Sequence, residues 1–323
     1  MPEVECESAA MPFADDVRAG LTARPKTLPP KYFYDELGSA LFEAICLLPE
    51  YYLTRAETEI LSTRADEILA HVEPRRLVEL GSGTAVKTRY LIEAGLRRNR
   101  TLDYSAIDIS ATVLESTAKA LQAQYPGLTV RSFAGEYYEG MRMLQAAQGP
   151  SPDVRTLALF LGSNIGNFDP PEALRFLSAI RRVCAPGDAL LLGTDLKKDR
   201  AVLEAAYDDS IGLTAAFDLN ILARINRELG GAFDLRKFRH RATYDERAGR
   251  VEMHLESLVD QVVPIRALPL DVAFAAGETI HTESSYKFSR DDVRRLASDA
   301  GFTLEHVWTD AGERFACNLL RCA

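Results

Sequence analysis

Two rhythms of apolar and polar positions divide this chain. From residue 76 onward, short strand-like runs recur at 76–80, 102–108, 128–133, 155–161 and 187–192. Each is too short for a helix and is set off by turn residues, the pattern of strands covered on both faces. Between them lie segments with apolar residues near helical spacing, such as 110–124 and 171–184. The latter carries Pro171 near its start and Pro186-Gly187 beyond its end, which are start and stop signals. Strands alternating with helices at this spacing predict a doubly covered parallel sheet, with ligands at the carboxyl ends of its strands.

The rhythm changes near residue 197. Helical stretches are predicted at 199–210 and 215–229, followed by period-two strands such as 251–258. A helix at 289–300, with Ser289 as cap and Gly301 as terminator, then precedes strands at 304–309 and 314–320. This last helix and strand pair would complete the sheet. Residues 61–196 and 287–323 therefore read as one domain, and 1–60 with 197–286 as a second, smaller α+β domain over the sheet's ligand edge. The Pro-rich segment Arg24–Lys31 reads as an extended connector.

Composition narrows the class. A length of 323 residues suits about two domains of ~150 residues each, and a 47% hydrophobic content supports a sizeable core. No apolar run approaches the ~20 residues of a membrane span. The first residues lack the basic and apolar regions of a signal peptide, so the cytoplasm is the default expectation. A net charge of −9 argues against a nucleic-acid partner and for a small molecule. The five cysteines include no Cys-x-x-Cys pair and the five histidines no ligand-type cluster, so no metal is expected. A monomer is the simplest expectation.

Candidate chemistry begins at Glu79-Leu80-Gly81-Ser82-Gly83-Thr84, directly after the first strand. Glycines at such a turn let backbone approach a ligand, and the preceding acid can hydrogen-bond a cofactor's polar groups. The run matches neither the phosphate-binding Gly-x4-Gly-Lys-Ser/Thr loop nor the dinucleotide Gly-x-Gly-x-x-Gly turn, which favours a cofactor without a pyrophosphate. It resembles the first motif of S-adenosylmethionine-dependent methyltransferases. Asp108 ends the next strand about 27 residues after Gly81, near the ~20-residue offset of a ribose-binding acid. It equally suits a cap for the helix starting near Ser110.

Four further segments have both a ligand and a structural reading. Leu161–Phe168, with Gly162, Asn164 and Asn167, is either a loop around a polar ligand or an ordinary Asn/Gly turn. Lys31–Asp35 and Leu48–Arg55 gather four of the twelve tyrosines, as pocket lining or as domain packing. Thr282–Phe288, if extended, directs Glu283 and Ser285 to one face, as a ligand pair or as a polar edge.

In Asp16–Leu21, Leu28–Asp35, Leu48–Tyr52, Glu79–Thr84, Leu161–Asn167, Leu192–Leu196, Ala206–Asp209 and Thr282–Ser285, and in their order along the chain from about residue 15, the sequence resembles the histidine Nα-methyltransferases of ergothioneine biosynthesis. That resemblance implies a Rossmann-like class I methyltransferase domain at 61–196 and 287–323, a substrate-binding domain at 1–60 and 197–286, and trimethylation of L-histidine to hercynine. It implies S-adenosyl-L-methionine at Gly81, Gly83, Lys87 and Asp108, with Glu136 and Tyr137 beside the adenine. Tyr51, Asn167 and Tyr207 match positions at the substrate's amino-acid end, Glu283 and Ser285 those holding the imidazole, and Tyr34, Phe42, Met253 and Gly162 others lining the pocket. Glu136-Tyr137, His254 and Tyr286 depart from the Asp-Phe, Trp and Cys expected of the family. No residue stands out as a strong base. The competing readings are an Nα-methyltransferase for another aromatic amino acid, such as tryptophan, and a cofactor-binding module without catalysis.

Overall fold

The computed structural model describes residues 3–148 and 154–322. The elements begin α1 (Glu3–Thr22), β1 (Lys26–Thr27), α2 (Glu36–Ile45), α3 (Leu53–Val72), β2 (Arg76–Leu80), α4 (Arg89–Asn99), β3 (Leu102–Asp108), α5 (Ala111–Gln124) and β4 (Leu128–Ala134). They continue with α6 (Tyr137–Gln148), β5 (Thr156–Phe160), α7 (Pro170–Val183), β6 (Ala189–Asp195), α8 (Arg200–Tyr207), α9 (Leu213–Leu229), β7 (Phe238–Asp245) and β8 (Arg250–Ser257). The chain ends with β9 (Gln261–Ile265), β10 (Leu270–Phe274), β11 (Thr279–Tyr286), α10 (Arg290–Asp299), β12 (Phe302–Thr309) and β13 (Phe315–Cys322). Two compact units result: Met1–Tyr52 with Lys198–Ser285, and Leu53–Lys197 with Tyr286–Ala323. The boundary expected at residue 60 falls inside α3. That helix buries Ala56, Ile60, Leu61, Ile68 and Leu69 and packs on α4 and β13, so it cannot be cut there.

The second unit is built on a seven-stranded sheet of order β12-β13-β6-β5-β2-β3-β4. The strands from β6 to β4 pair in parallel, and β13 runs antiparallel to both of its neighbours. This is the Rossmann-like class I methyltransferase arrangement. Its central strands are buried along nearly their whole length, β6 at all seven positions, which explains the near-continuous apolar runs. The chain builds β3 and β4 on one side of β2, then returns to place β5 and β6 on the other. That reversal leaves a crevice beyond the carboxyl ends of β2 and β5, where parallel sheets take their ligands.

Some boundaries differ from expectation for local reasons. The strand expected at 187–192 runs instead from Ala189 to Asp195: Gly187 turns at φ +92°, and after pairing with β5 ends at Leu192, pairing with β13 carries the strand on to Asp195. The helix expected to reach 210 stops at Tyr207, because the Asp209 carboxylate takes the amides of Leu213 and Thr214 at 2.9 and 2.6 Å and so starts α9 early.

The first unit carries a four-stranded sheet of order β1-β11-β8-β7 and the separate hairpin β9-β10. The connector Arg24–Lys31 is not merely extended, since Lys26 and Thr27 pair in parallel with Ile280 and His281 of β11. β8 buries Val251, Met253, Leu255 and Ser257 in strict alternation, and α9 packs on β7 and β8.

Candidate active site

At the crevice of the second unit, the turn after β2 starts at Gly81, whose amide donates to the Ile107 carbonyl at 2.8 Å. Gly81 has φ +74°, and a Cβ there would meet Asn164 Nδ2 at 3.0 Å and the Tyr137 hydroxyl at 3.2 Å. The positive φ calls for glycine, and a side chain would in addition press Asn164 and Tyr137 back by a few tenths of an ångström. The same crowding brings the Gly81 turn, Asn164 of the loop after β5 and Tyr137 at the start of α6 together. Lys87 also stands beside this loop, its Nζ 3.7 Å from where a Cβ of Gly162 would be.

Asp108, half-buried at the end of β3, accepts the Gly83 amide on Oδ2 at 2.9 Å and the Ser110 amide on Oδ1 at 3.0 Å. The helix cap itself is Ser110, whose hydroxyl accepts from Val113. Each Asp108 oxygen retains a second lone pair, the acceptor set a ribose diol needs. Tyr137 packs its ring against Phe160 and Phe176, each 5.4 Å away between centroids, and burial holds its phenol protonated. Glu136 is exposed beside it. Gly162 and Asn167 lie on the loop after β5, Asn167 closing the short turn Asn164–Asn167.

Glu79 does not take the role expected of it. It is buried, accepts from the Thr88 hydroxyl at 2.7 Å and from the Tyr104 phenol, and so braces the turn from beneath. Burial pushes its carboxyl up to about 7, outweighing the Tyr104 and Thr88 hydrogen bonds.

Glu57 was not anticipated. It is fully buried on α3, pairs with Lys87 and accepts the Gly162 amide at 2.9 Å, tying the loops after β2 and β5 to one carboxylate. Its sequence signal is a charge in the middle of the apolar stripe Leu53, Ala56, Ile60, Leu61.

The first unit gathers the other candidates. Tyr34 meets Phe42 edge-on at 5.6 Å, Phe42 meets Tyr51 at 6.0 Å, and Tyr51 meets Tyr207 at 6.3 Å. Glu283 and Ser285 are both buried on β11 at alternate positions, and so share a face. The Tyr207 and Ser285 hydroxyls are hydrogen-bonded at 2.8 Å. Met253 is buried on neighbouring β8, where its carbonyl accepts from Thr282 Oγ1 at 3.0 Å. Burial, then the charges of Tyr207, Cys46, Tyr34 and Glu283, raise the Tyr51 phenol well above its ordinary range, so at neutral pH it is an O–H donor and not a base. His254, at one of the departures from the family pattern, packs 5.2 Å from His281. Tyr286, at another, donates to Asp169 at 2.8 Å. No helix among the described residues is long and apolar enough to cross a membrane.

Residues 13–322 match the family model described as histidine-specific methyltransferase, SAM-dependent. The histidine N-alpha-methyltransferase of Mycolicibacterium smegmatis is 46% identical over 314 residues, which is 97% of this chain and 96% of that one. Its counterpart from Mycobacterium tuberculosis is 44% identical over 94% of this chain and 93% of its own length. Ergothioneine biosynthesis protein 1 of Neurospora crassa is 33% identical over 92% of this chain, a match covering 33% of that longer protein.

Proposed function

The chain belongs to the histidine-specific, S-adenosylmethionine-dependent methyltransferases, and from that premise we propose how its residues divide the work. The enzyme methylates the α-amino group of L-histidine to hercynine in ergothioneine biosynthesis. S-adenosylmethionine supplies the methyl group on a sulfonium, a good leaving group. The turn at Gly81 and Gly83, with Lys87, Asp108, Glu136 and Tyr137, binds it. Tyr34, Tyr51, Gly162, Asn167, Tyr207, Met253, Glu283 and Ser285 bind histidine, with Phe42 among the aromatic rings around them.

The chemistry asked of these side chains is positional. In-line transfer needs the amine lone pair aligned with the methyl carbon, and such alignment can supply up to about 7–11 kcal/mol of barrier reduction. The amine must arrive neutral at every turn, so one proton leaves for each of three methyl groups, and the product carries one permanent positive charge. Asn167 and Tyr207 orient the amino-acid end. Tyrosine faces attract a cation without needing its N–H groups, so they tolerate an ammonium that loses a donor at each round.

The observation that carries this reading is the buried pair Glu283 and Ser285 on one strand, with the Tyr207 hydroxyl on Ser285 at 2.8 Å. An imidazole presents two ring nitrogens of different character, and a carboxylate beside a hydroxyl matches them. An indole, with one N–H, leaves the second partner unsatisfied. The test is mass spectrometry of histidine during turnover. One, two and three added methyl groups, ending at hercynine, are expected; a monomethyl end point or a methyl on the ring would overturn the reading.

A further inference from the structure

His240 stands at an inward position of β7, between Phe238 and Tyr244, and is buried. Its Nδ1 lies 2.6 Å from Oδ2 of Asp218, which is itself fully buried on α9. Its Nε2 lies 2.8 Å from the main-chain carbonyl oxygen of Tyr207, the last residue of α8. A carbonyl can only accept, so Nε2 carries a hydrogen and donates it. The carbonyls at a helix's end lack intrahelical donors, and a donor with cationic character is favoured there. Asp218 supplies that character.

Burial by itself lowers the His240 pKa. The Asp218 hydrogen bond and charge, with the Tyr207 carbonyl and Asp208, outweigh it and leave the imidazole raised. Such a buried pair is a weak source of stability, and here Asp218 Oδ1 has no hydrogen-bond partner among the described residues. What the arrangement does fix is the peptide of Tyr207, whose hydroxyl meets Ser285 at 2.8 Å and whose ring meets Tyr51.

We propose that His240, oriented by Asp218, is a positioning residue for substrate: it holds the Tyr207 carbonyl and thereby sets where the Tyr207 and Ser285 hydroxyls meet L-histidine. The inference rests on the reading that Tyr207 and Ser285 bind histidine. It concerns histidine alone, since cofactor binding is assigned to other elements.

The test separates the two ring nitrogens. Glutamine places its amide nitrogen near the position of Nε2, whereas the shorter asparagine reaches only that of Nδ1. Both are introduced in an Asp218→Asn background, so that no buried carboxylate is left unpaired. L-Histidine is titrated calorimetrically in the presence of S-adenosylhomocysteine, and S-adenosylhomocysteine is titrated alone. The expected result is that Asp218→Asn/His240→Gln binds histidine within about threefold of Asp218→Asn. Asp218→Asn/His240→Asn should bind it about tenfold more weakly, with S-adenosylhomocysteine affinity equal in both. Equal histidine affinity in the two variants, or parallel loss of both ligands, overturns the proposal. Tyr207→Phe is measured alongside. If it weakens histidine while the Gln and Asn variants do not differ, only the positioning role fails; if it binds histidine as the unmodified enzyme does, the substrate role of Tyr207 fails and the proposal with it.

Discussion

Asp108 Oδ2 and the Gly83 amide are joined at 2.9 Å, so the acid ending β3 holds the glycine turn that follows β2. One carboxylate thus shapes the turn and keeps a second lone pair on each oxygen for the proposed cofactor. Asp108→Ala is expected to lose a charge-assisted hydrogen bond of about 1.5–3 kcal/mol. Affinity for S-adenosylhomocysteine, read by calorimetry, should fall about tenfold or more, and unchanged affinity in a folded variant would remove Asp108 from the cofactor site.

Glu57 is expected to matter first for stability. Glu57 is the fully buried half of an ion pair whose Lys87 end is only half-buried, so Glu57→Ala should cost about 1–3 kcal/mol, mainly because the Gly162 amide loses its acceptor. The double variant Glu57→Gln/Lys87→Met, with no stranded charge, should lose less. Urea unfolding of the two proteins checks the order, and the reverse order would contradict the pairing.

Glu79 gives a pH signature. Its folded pKa of about 7 lies above the ordinary value of 4.5, so the folded state binds its proton more tightly than the unfolded state does. That contribution is fully present below about pH 4.5 and is lost as pH rises through about 7, amounting to roughly 3 kcal/mol. Glu79→Gln should flatten this fall, so that the variant gains in melting temperature relative to the unmodified protein between pH 5 and 8. Parallel melting curves across that window would show that Glu79 is ionised throughout.

Glu283 is expected to select the imidazole. A hydrogen bond to a charged group is worth about 1.5–3 kcal/mol, so Glu283→Ala should cost histidine one to two orders of magnitude in affinity. Tryptophan should lose less or gain. Competition between the two amino acids on both proteins measures this, and an unchanged histidine preference in the folded variant would place the imidazole elsewhere.

Much of this was legible along the chain because it depends on neighbours in sequence. The strands 76–80 and 102–108 were read to the residue, since burial on both faces writes itself as an apolar run. The positions of Gly81 and Asp108 at strand ends followed from the same pattern. The alternation that puts Glu283 and Ser285 on one face is a property of any extended backbone.

The tertiary structure decided what depends on distant partners. Glu79 reads as a ligand-facing acid from its place before the glycines, but Thr88 and Tyr104 turn it inward. Glu57 lies 105 residues before the Gly162 amide that it accepts, and nothing local marks that pairing. His240 looks like any lone histidine until β7 brings it to Asp218 of α9 and to the end of α8. Local sequence sets which backbone a segment adopts and which side it buries. Which charges meet once buried is set by the packing of elements far apart in the chain, where a low dielectric makes each unpaired charge costly and so fixes its partner.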